Sequence, residues 1–206
     1  MTPDLLPMVF TSGWASGVNA YATVLVLGLI GRLGGVDAVP EGLQRTDVLV
    51  AAAVLYALEF VTDKIPYVDS TWDAIHTAIR PTVGAVIALL VSGDAGSLET
   101  AVLTATGGLT ALASHLVKGG LRLAVNTSPE PASNVVASVA EDVSVAGLVS
   151  LVVVAPWLAA GIAAVLLLTG GTLVVLLAGR IRRVRRRRRE RRAARSTDPP
   201  HPADRA

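Results

Sequence analysis

The sequence predicts an all-α protein, a polytopic transmembrane helical bundle of about six spans with both termini on the cytoplasmic side. Three observations lead there. An almost uninterrupted apolar run, Val143 to Gly179, is followed directly by Arg180 to Arg195, where eleven of sixteen residues are arginine. A soluble domain has no use for an apolar run of that length, and an arginine cluster at its end marks the cytoplasmic face. Hydrophobic residues make up 52% of the 206-residue chain against 4% aromatics, with a mean hydropathy of +0.58; Ala, Val, Leu and Gly in that balance suit helices packed in lipid. Charge is divided as well: residues 1–179 hold six Lys or Arg against thirteen Asp or Glu, and residues 180–206 hold twelve against three. The chain reads as a transmembrane domain, 1–179, and a cytoplasmic, Arg-rich and partly disordered tail, 180–206.

A span needs about 20 apolar residues at roughly 1.5 Å each. Met1 to Phe10 contains Asp4 and two prolines but no Lys or Arg, so it lacks the basic start of a cleavable signal peptide and is expected to be retained. Residues 12–33 form the first expected span, in which Gly13 and Gly17 make a GxxxG suited to ordinary close packing rather than to a dimer. Residues 46–64 form the second. The third, 70–92, carries Pro81 near its middle, where a missing backbone donor predicts a kink. Residues 98–125 form the fourth. The fifth and sixth, 133–155 and 157–179, are separated by Ala155-Pro156-Trp157. One helix through both would be about 55 Å long, nearly twice the hydrocarbon thickness, so a hairpin is expected there. In Asn126-Thr-Ser-Pro-Glu-Pro-Ala-Ser-Asn134, Ser133 or Asn134 is expected to cap the fifth helix.

An even number of spans places both ends on one side. With the tail in the cytoplasm, Lys64 and Arg122 fall at cytoplasmic helix ends, Trp14, Tyr67 and Trp72 at the inner interface, and Trp157 at the outer turn. The composition, rich in Ala, Val and Arg, points to a bacterial inner (plasma) membrane.

Polar residues recur at helical spacing. Asp69, Asp73, His76 and Arg80 follow one another by four, three and four residues and share one helix face. His115, Lys118 and Arg122 do the same on the fourth span, Asn134, Ser138 and Glu141 on the fifth with Asp142 beside them, and Glu59 with Asp63 on the second. Counted from the cytoplasmic ends at about 1.5 Å per residue, they occupy the cytoplasmic half of the bilayer, as does Asn19 on the first span. A charge at the centre of a span costs about 2.5–3.5 kcal/mol on insertion scales, so these groups must pair or be hydrated. Six acids face four permanent bases, Lys64, Arg80, Lys118 and Arg122, and His76 and His115 are left to decide the net charge.

Two functions fit. The first is a transporter or permease with a cytoplasm-facing polar site for a small anion or a proton-coupled solute. The pathway residues would be Asn19, Asp63, Asp69, Asp73, His76, Arg80, His115, Lys118, Arg122, Asn134, Ser138, Glu141 and Asp142. His76, Glu141 or Asp142 would exchange protons, and Arg80, Lys118 and Arg122 would receive an anionic group. The second is a non-catalytic scaffold or partner subunit whose charges form a closed salt-bridge lattice. Beyond the bilayer itself, the expected partner is anionic lipid headgroups, held by Arg182, Arg183, Arg185, Arg186, Arg187, Arg188 and Arg189 at about 1 kcal/mol per basic residue near the surface. Nucleic acid is disfavoured, because the tail lacks aromatic stacking residues; a homo-oligomer stays open.

The chain has no cysteine, which excludes disulfides, thiol catalysis and cysteine metal sites. No HExxH, GxSxG, P-loop or GxGxxG stands in a fitting context, so neither an enzyme nor a cofactor is expected.

Several of these runs carry a resemblance. Ser16-Gly-Val-Asn-Ala-Tyr-Ala22, Asp63-Lys-Ile-Pro66, Asp69-Ser-Thr-Trp-Asp73 with Arg80-Pro81, and Ser128-Pro-Glu-Pro-Ala-Ser-Asn134 with Glu141-Asp142 resemble the bacterial membrane-protein family catalogued as domain of unknown function 4126. The likeness covers roughly residues 9–158. Ala132 departs from it, standing where that family is expected to carry an aromatic, and the arginine tail lies outside it. The resemblance implies an integral membrane protein and no particular activity.

Overall fold

The structure is a computed structural model that describes residues 4–65, 68–125 and 131–196. Among these residues it is entirely helical: α1 (Leu5–Val18), α2 (Ala20–Gly34), α3 (Glu41–Gln44), α4 (Thr46–Thr62), α5 (Val68–Ser92), α6 (Ser97–Val125), α7 (Pro131–Val154) and α8 (Pro156–Ser196). Four stretches are long and apolar enough to cross a membrane, Thr71–Ser92, Ser97–Leu123, Val135–Val154 and Pro156–Arg183, and α1 and α2 are shorter apolar helices. Large apolar side chains on the outer faces of the four long stretches, such as Ile75, Leu116, Val136, Leu168 and Val175, are exposed, as contact with lipid tails requires.

α5 and α6 pack along each other, and α1 lies against both. Glycines set that geometry. A Cβ at Gly13 would stand 2.6 Å from the Gly107 carbonyl oxygen of α6, and one at Gly107 would stand 2.6 Å from the Gly84 oxygen of α5. The small residues thus allow three backbones to approach closely, and the GxxxG of α1 is used inside the chain. An apolar core that includes Trp14 and Val18 of α1, Leu27 of α2, Ile87 of α5, Val149 and Val152 of α7 and Ala159 and Ala163 of α8 joins these helices. α7 and α8 meet at Ala155 and pack together, as the expected hairpin would.

Two expectations are corrected. The first span is not continuous: Asn19 has extended backbone, φ −150° and ψ 100°, and divides it into α1 and α2. α7 starts at Pro131, a residue whose fixed φ suits the first helical position, so Ser133 and Asn134 lie inside its first turn rather than capping it. α5 runs through Pro81 as one helix, and Trp14 is buried in the core. The arginine stretch adds to the picture, since α8 runs on to Ser196; arginine is a good helix former and no Gly or Pro interrupts residues 180–196. Pro66, Tyr67, residues 126–130 and residues 197–206 are outside the described residues.

Candidate functional site

The polar stripes converge on one buried cluster. α4 presents Glu59 and, at its C-terminal cap, Asp63; α5 presents Asp73 and Arg80, α6 presents Lys118 and Arg122, and α7 presents Glu141. Arg80 Nη2 donates to Glu59 Oε1 at 2.6 Å and stands 2.9 Å from Asp73 Oδ1. Lys118 Nζ is the hub. It donates to Asp63 Oδ2 at 2.9 Å and has Glu141 at 3.4 Å, Glu59 at 3.7 Å and Asp73 at 3.9 Å. Arg122 grips Glu141 with two hydrogen bonds, Nε to Oε1 at 3.1 Å and Nη2 to Oε2 at 2.6 Å, and lies 3.5 Å from Asp63. Among the described residues, four acids and three bases therefore form one network. Of the four carboxylates only Glu141 is appreciably exposed, at 21% of its side chain.

The break at Asn19 belongs to this network. A helix that ends inside a packed bundle leaves carbonyls without partners. Here the cations take them: Lys118 Nζ donates to the Val18 oxygen at 2.9 Å, and Arg80 Nη1 reaches the Gly17 oxygen at 3.4 Å. Positive groups also suit the negative end of the α1 dipole. Asn19 closes the other side, its Oδ1 accepting from Ala22 N at 2.9 Å to cap α2 and its Nδ2 donating to Asp142 Oδ1 at 3.2 Å. Replacing Asn19 by Ala is expected to cost about 1–2 kcal/mol through the lost cap, measured by circular dichroism during SDS unfolding, with Asn19→Ser recovering part of it.

Both histidines are engaged by fixed partners. Arg80 Nη1 donates to His115 Nδ1 at 2.9 Å. A guanidinium has no acceptor, so this nitrogen must be unprotonated and the ring neutral, with Nε2–H facing Thr77 Oγ1 at 3.2 Å. His76 donates from Nδ1 to the Trp72 carbonyl at 2.8 Å, shares a 2.8 Å hydrogen bond between Nε2 and the Tyr21 hydroxyl, and is stacked on the Trp72 ring. In this arrangement the His115 ring supplies no positive charge to the cluster.

The remaining predicted residues fall around this centre. Ser138 is buried and accepts from Lys64 Nζ at 3.3 Å, while Lys64 also donates to the Phe60 carbonyl and lies over the Phe60 ring, as a helix-end lysine reaching outward does. The side chains of Asp69, Asn134, Arg185, Arg187, Arg188 and Arg189 are outside the described residues, whereas Arg182, Arg183 and Arg186 are exposed on α8. Glu59 entered the sequence reading only as a pairing partner, yet it lies at the centre. Ser16, which donates to the Arg80 carbonyl at 2.9 Å, and Ser114, which donates to the Trp14 carbonyl at 2.9 Å, were missed. Their signal was their place beside Gly17 and His115.

Two clefts flank the cluster. One, of about 340 Å³, is lined by Asp73, Thr77 and His115 with Leu116, Gly119 and Gly120; the other, of about 220 Å³, is lined by Trp14, Lys118, Glu141, Ser144 and Leu166. A family model described as domain of unknown function (DUF4126) matches residues 6–176. The chain belongs to the DUF4126 family. The match reaches further than the motifs alone, from α1 into α8, and it includes every residue of the ionic cluster while stopping short of the arginine stretch. No curated protein and no solved structure is significantly similar to this DUF4126 chain.

Proposed function

We propose that this DUF4126 protein is a transporter or permease of the bacterial inner membrane that moves a small solute coupled to protons. In this reading α4, α5, α6, α7 and α8 cross the membrane and the arginine stretch is cytoplasmic. One observation carries the proposal: a broken helix aims its terminal carbonyls at a buried cluster that, among the described residues, holds one more acid than base. Broken helices that use their ends to hold charged groups are a recurring device of membrane transport sites. The surplus carboxylate gives an exchangeable proton a place to reside. The cluster favours a proton-coupled solute over an anion, because Arg80, Lys118 and Arg122 are each already held by carboxylates.

The same closure is the observation that favours the scaffold reading, in which the lattice only fixes helix register and the tail engages anionic lipid. A flux assay separates the two. Proteoliposomes loaded with a pH-sensitive dye are challenged with small alkylammonium salts and small anions. Wild type should move protons on addition of at least one of them, and Glu59→Gln, which leaves three acids against three bases, should insert normally and behave like empty vesicles. Well-inserted wild-type protein that moves no protons with any addition would establish the scaffold.

A further inference from the structure

We infer that α1 and α2 form a re-entrant hairpin instead of a crossing, entering from the face opposite the arginine stretch and plugging the ionic cluster from that side with its tip at Asn19. The order of contacts fixes the directions. A Cβ at Gly170 would meet Val117 and one at Gly120 would meet Val174, so α8 and α6 run parallel and both head for the arginine face. α1 runs parallel to α6 as well: Gly13 faces Gly107, and the Trp14 and Val18 carbonyls accept from Ser114 and Lys118. It heads for the arginine face and stops at Asn19. α2 then turns back. It starts beside the cluster, where Asn19 reaches Asp142, and finishes where Arg32 donates to Thr46 at the start of α4; α4 returns to the cluster with Glu59 and Asp63.

Both open ends of the pair lie at one level. Leu5 and Val9 of α1 pack with Val91 and Leu103, and a Cβ on Gly42, in the connection between α2 and α4, would lie 3.8 Å from Leu90. Leu90 and Val91 belong to the last turn of α5, which ends at Ser92 on the face opposite the arginine stretch. The lengths agree. α1 and α2 have 14 and 15 residues. At roughly 1.5 Å per residue they reach about 21 and 22 Å, short of the ~30 Å hydrocarbon layer. A non-helical tip at that depth is tolerated only where protein covers it, and Val18, Asn19 and Ala20 are all buried.

Charge tells the faces apart. The hairpin face has Arg32 and Arg45 as its only lysine or arginine residues, against eleven arginines in residues 180–195, so the arginine stretch is cytoplasmic and Asp4 lies on the other side. Five crossings and a hairpin replace the expected six crossings with both ends together. This inference deepens the proposed function and rests on it for transport alone. The hairpin closes the cluster on the outer side, whereas Asp63 caps α4 and Arg122 lies in the last turn of α6, at the cytoplasmic ends of their helices.

The chain has no cysteine, so single cysteines report the sides. Spheroplasts carrying the full-length protein with Asp4→Cys, Asp37→Cys, Asp94→Cys or Arg183→Cys, all at exposed positions, are treated with a membrane-impermeant maleimide, then lysed and labelled. Pretreatment should abolish later labelling of the first three and leave that of Arg183→Cys intact. The mirror pattern, with the first three protected together and Arg183→Cys blocked, also supports the hairpin and reverses only the assignment of faces. Asp4→Cys behaving like Arg183→Cys and unlike Asp37→Cys would overturn the inference. A short bismaleimide gives a check that is independent of orientation. It should join Val9→Cys to Leu103→Cys and Gly42→Cys to Leu90→Cys, and failure of either pair in protein that elutes normally from size exclusion would also overturn the hairpin. A hairpin in protein that moves no protons in the vesicle assay would retain this inference and remove the transport reading. Proton flux through protein with Asp4 on the arginine side would do the reverse.

Discussion

Replacing Arg80 by Met is expected to destabilise the protein by about 3–5 kcal/mol, the range for removing one partner of a buried ion pair. Arg80 is fully buried and serves Glu59, Asp73, His115 and the Gly17 carbonyl. Without it, four acids face two bases, and His115 loses the donor that sets its tautomer. The opposite substitution is milder. Glu59→Gln leaves three acids against three bases and keeps an amide oxygen for Arg80, so the cost should be about 1–2 kcal/mol. The asymmetry itself is the test. In SDS-titrated unfolding followed by circular dichroism, a base-to-neutral change should cost at least twice as much as an acid-to-neutral change. Equal losses would mean that the cluster carries no surplus negative charge.

Substituting Val for Gly17 should be the most damaging change away from the ion pairs. A Cβ there would sit 1.9 Å from Ser114 Oγ and 2.1 Å from the Ala111 carbonyl oxygen. Backbone cannot yield as a side-chain tip can, so α1 must move away from α6. Two bonds depend on that contact, Ser114 to the Trp14 carbonyl and Lys118 to the Val18 carbonyl. Overpacking alone costs about 1–3 kcal/mol, and the freed carbonyl and uncovered ammonium add to it, so Gly17→Val is expected to fail to yield folded protein in detergent size-exclusion chromatography. Gly147→Ala, where a Cβ meets nothing within 4 Å, is the control and should behave as wild type. A normal Gly17→Val protein would show that α1 and α6 do not pack this closely.

Much of the fold was legible because its signals are local. Runs of apolar residues between breakers located α4 to α8 to within a few residues, apart from the helical arginine stretch, since hydropathy acts over about 20 contiguous positions. Spacings of three and four placed Asp73, His76 and Arg80, and likewise His115, Lys118 and Arg122, on shared faces that do meet. The motifs around Asn19, Asp63 and Asn126 to Asn134 pointed to the family that the match over residues 6–176 then showed.

The break at Asn19 was not legible, because what makes it tolerable comes from elsewhere: Lys118 stands 100 residues from the Val18 carbonyl it satisfies. The same holds for the state of His115, which depends on a guanidinium 35 residues away, and for the burial of Trp14 under α7 and α8. The sequence by itself determined that this chain forms membrane-type helices with polar faces, since periodicity and hydropathy are properties of neighbours along the chain. Only the tertiary structure decided which charges pair and where a helix can end inside the bundle. Hydrogen bonds and ion pairs act over about 3 Å of space, and sequence spacing does not encode that distance between helices.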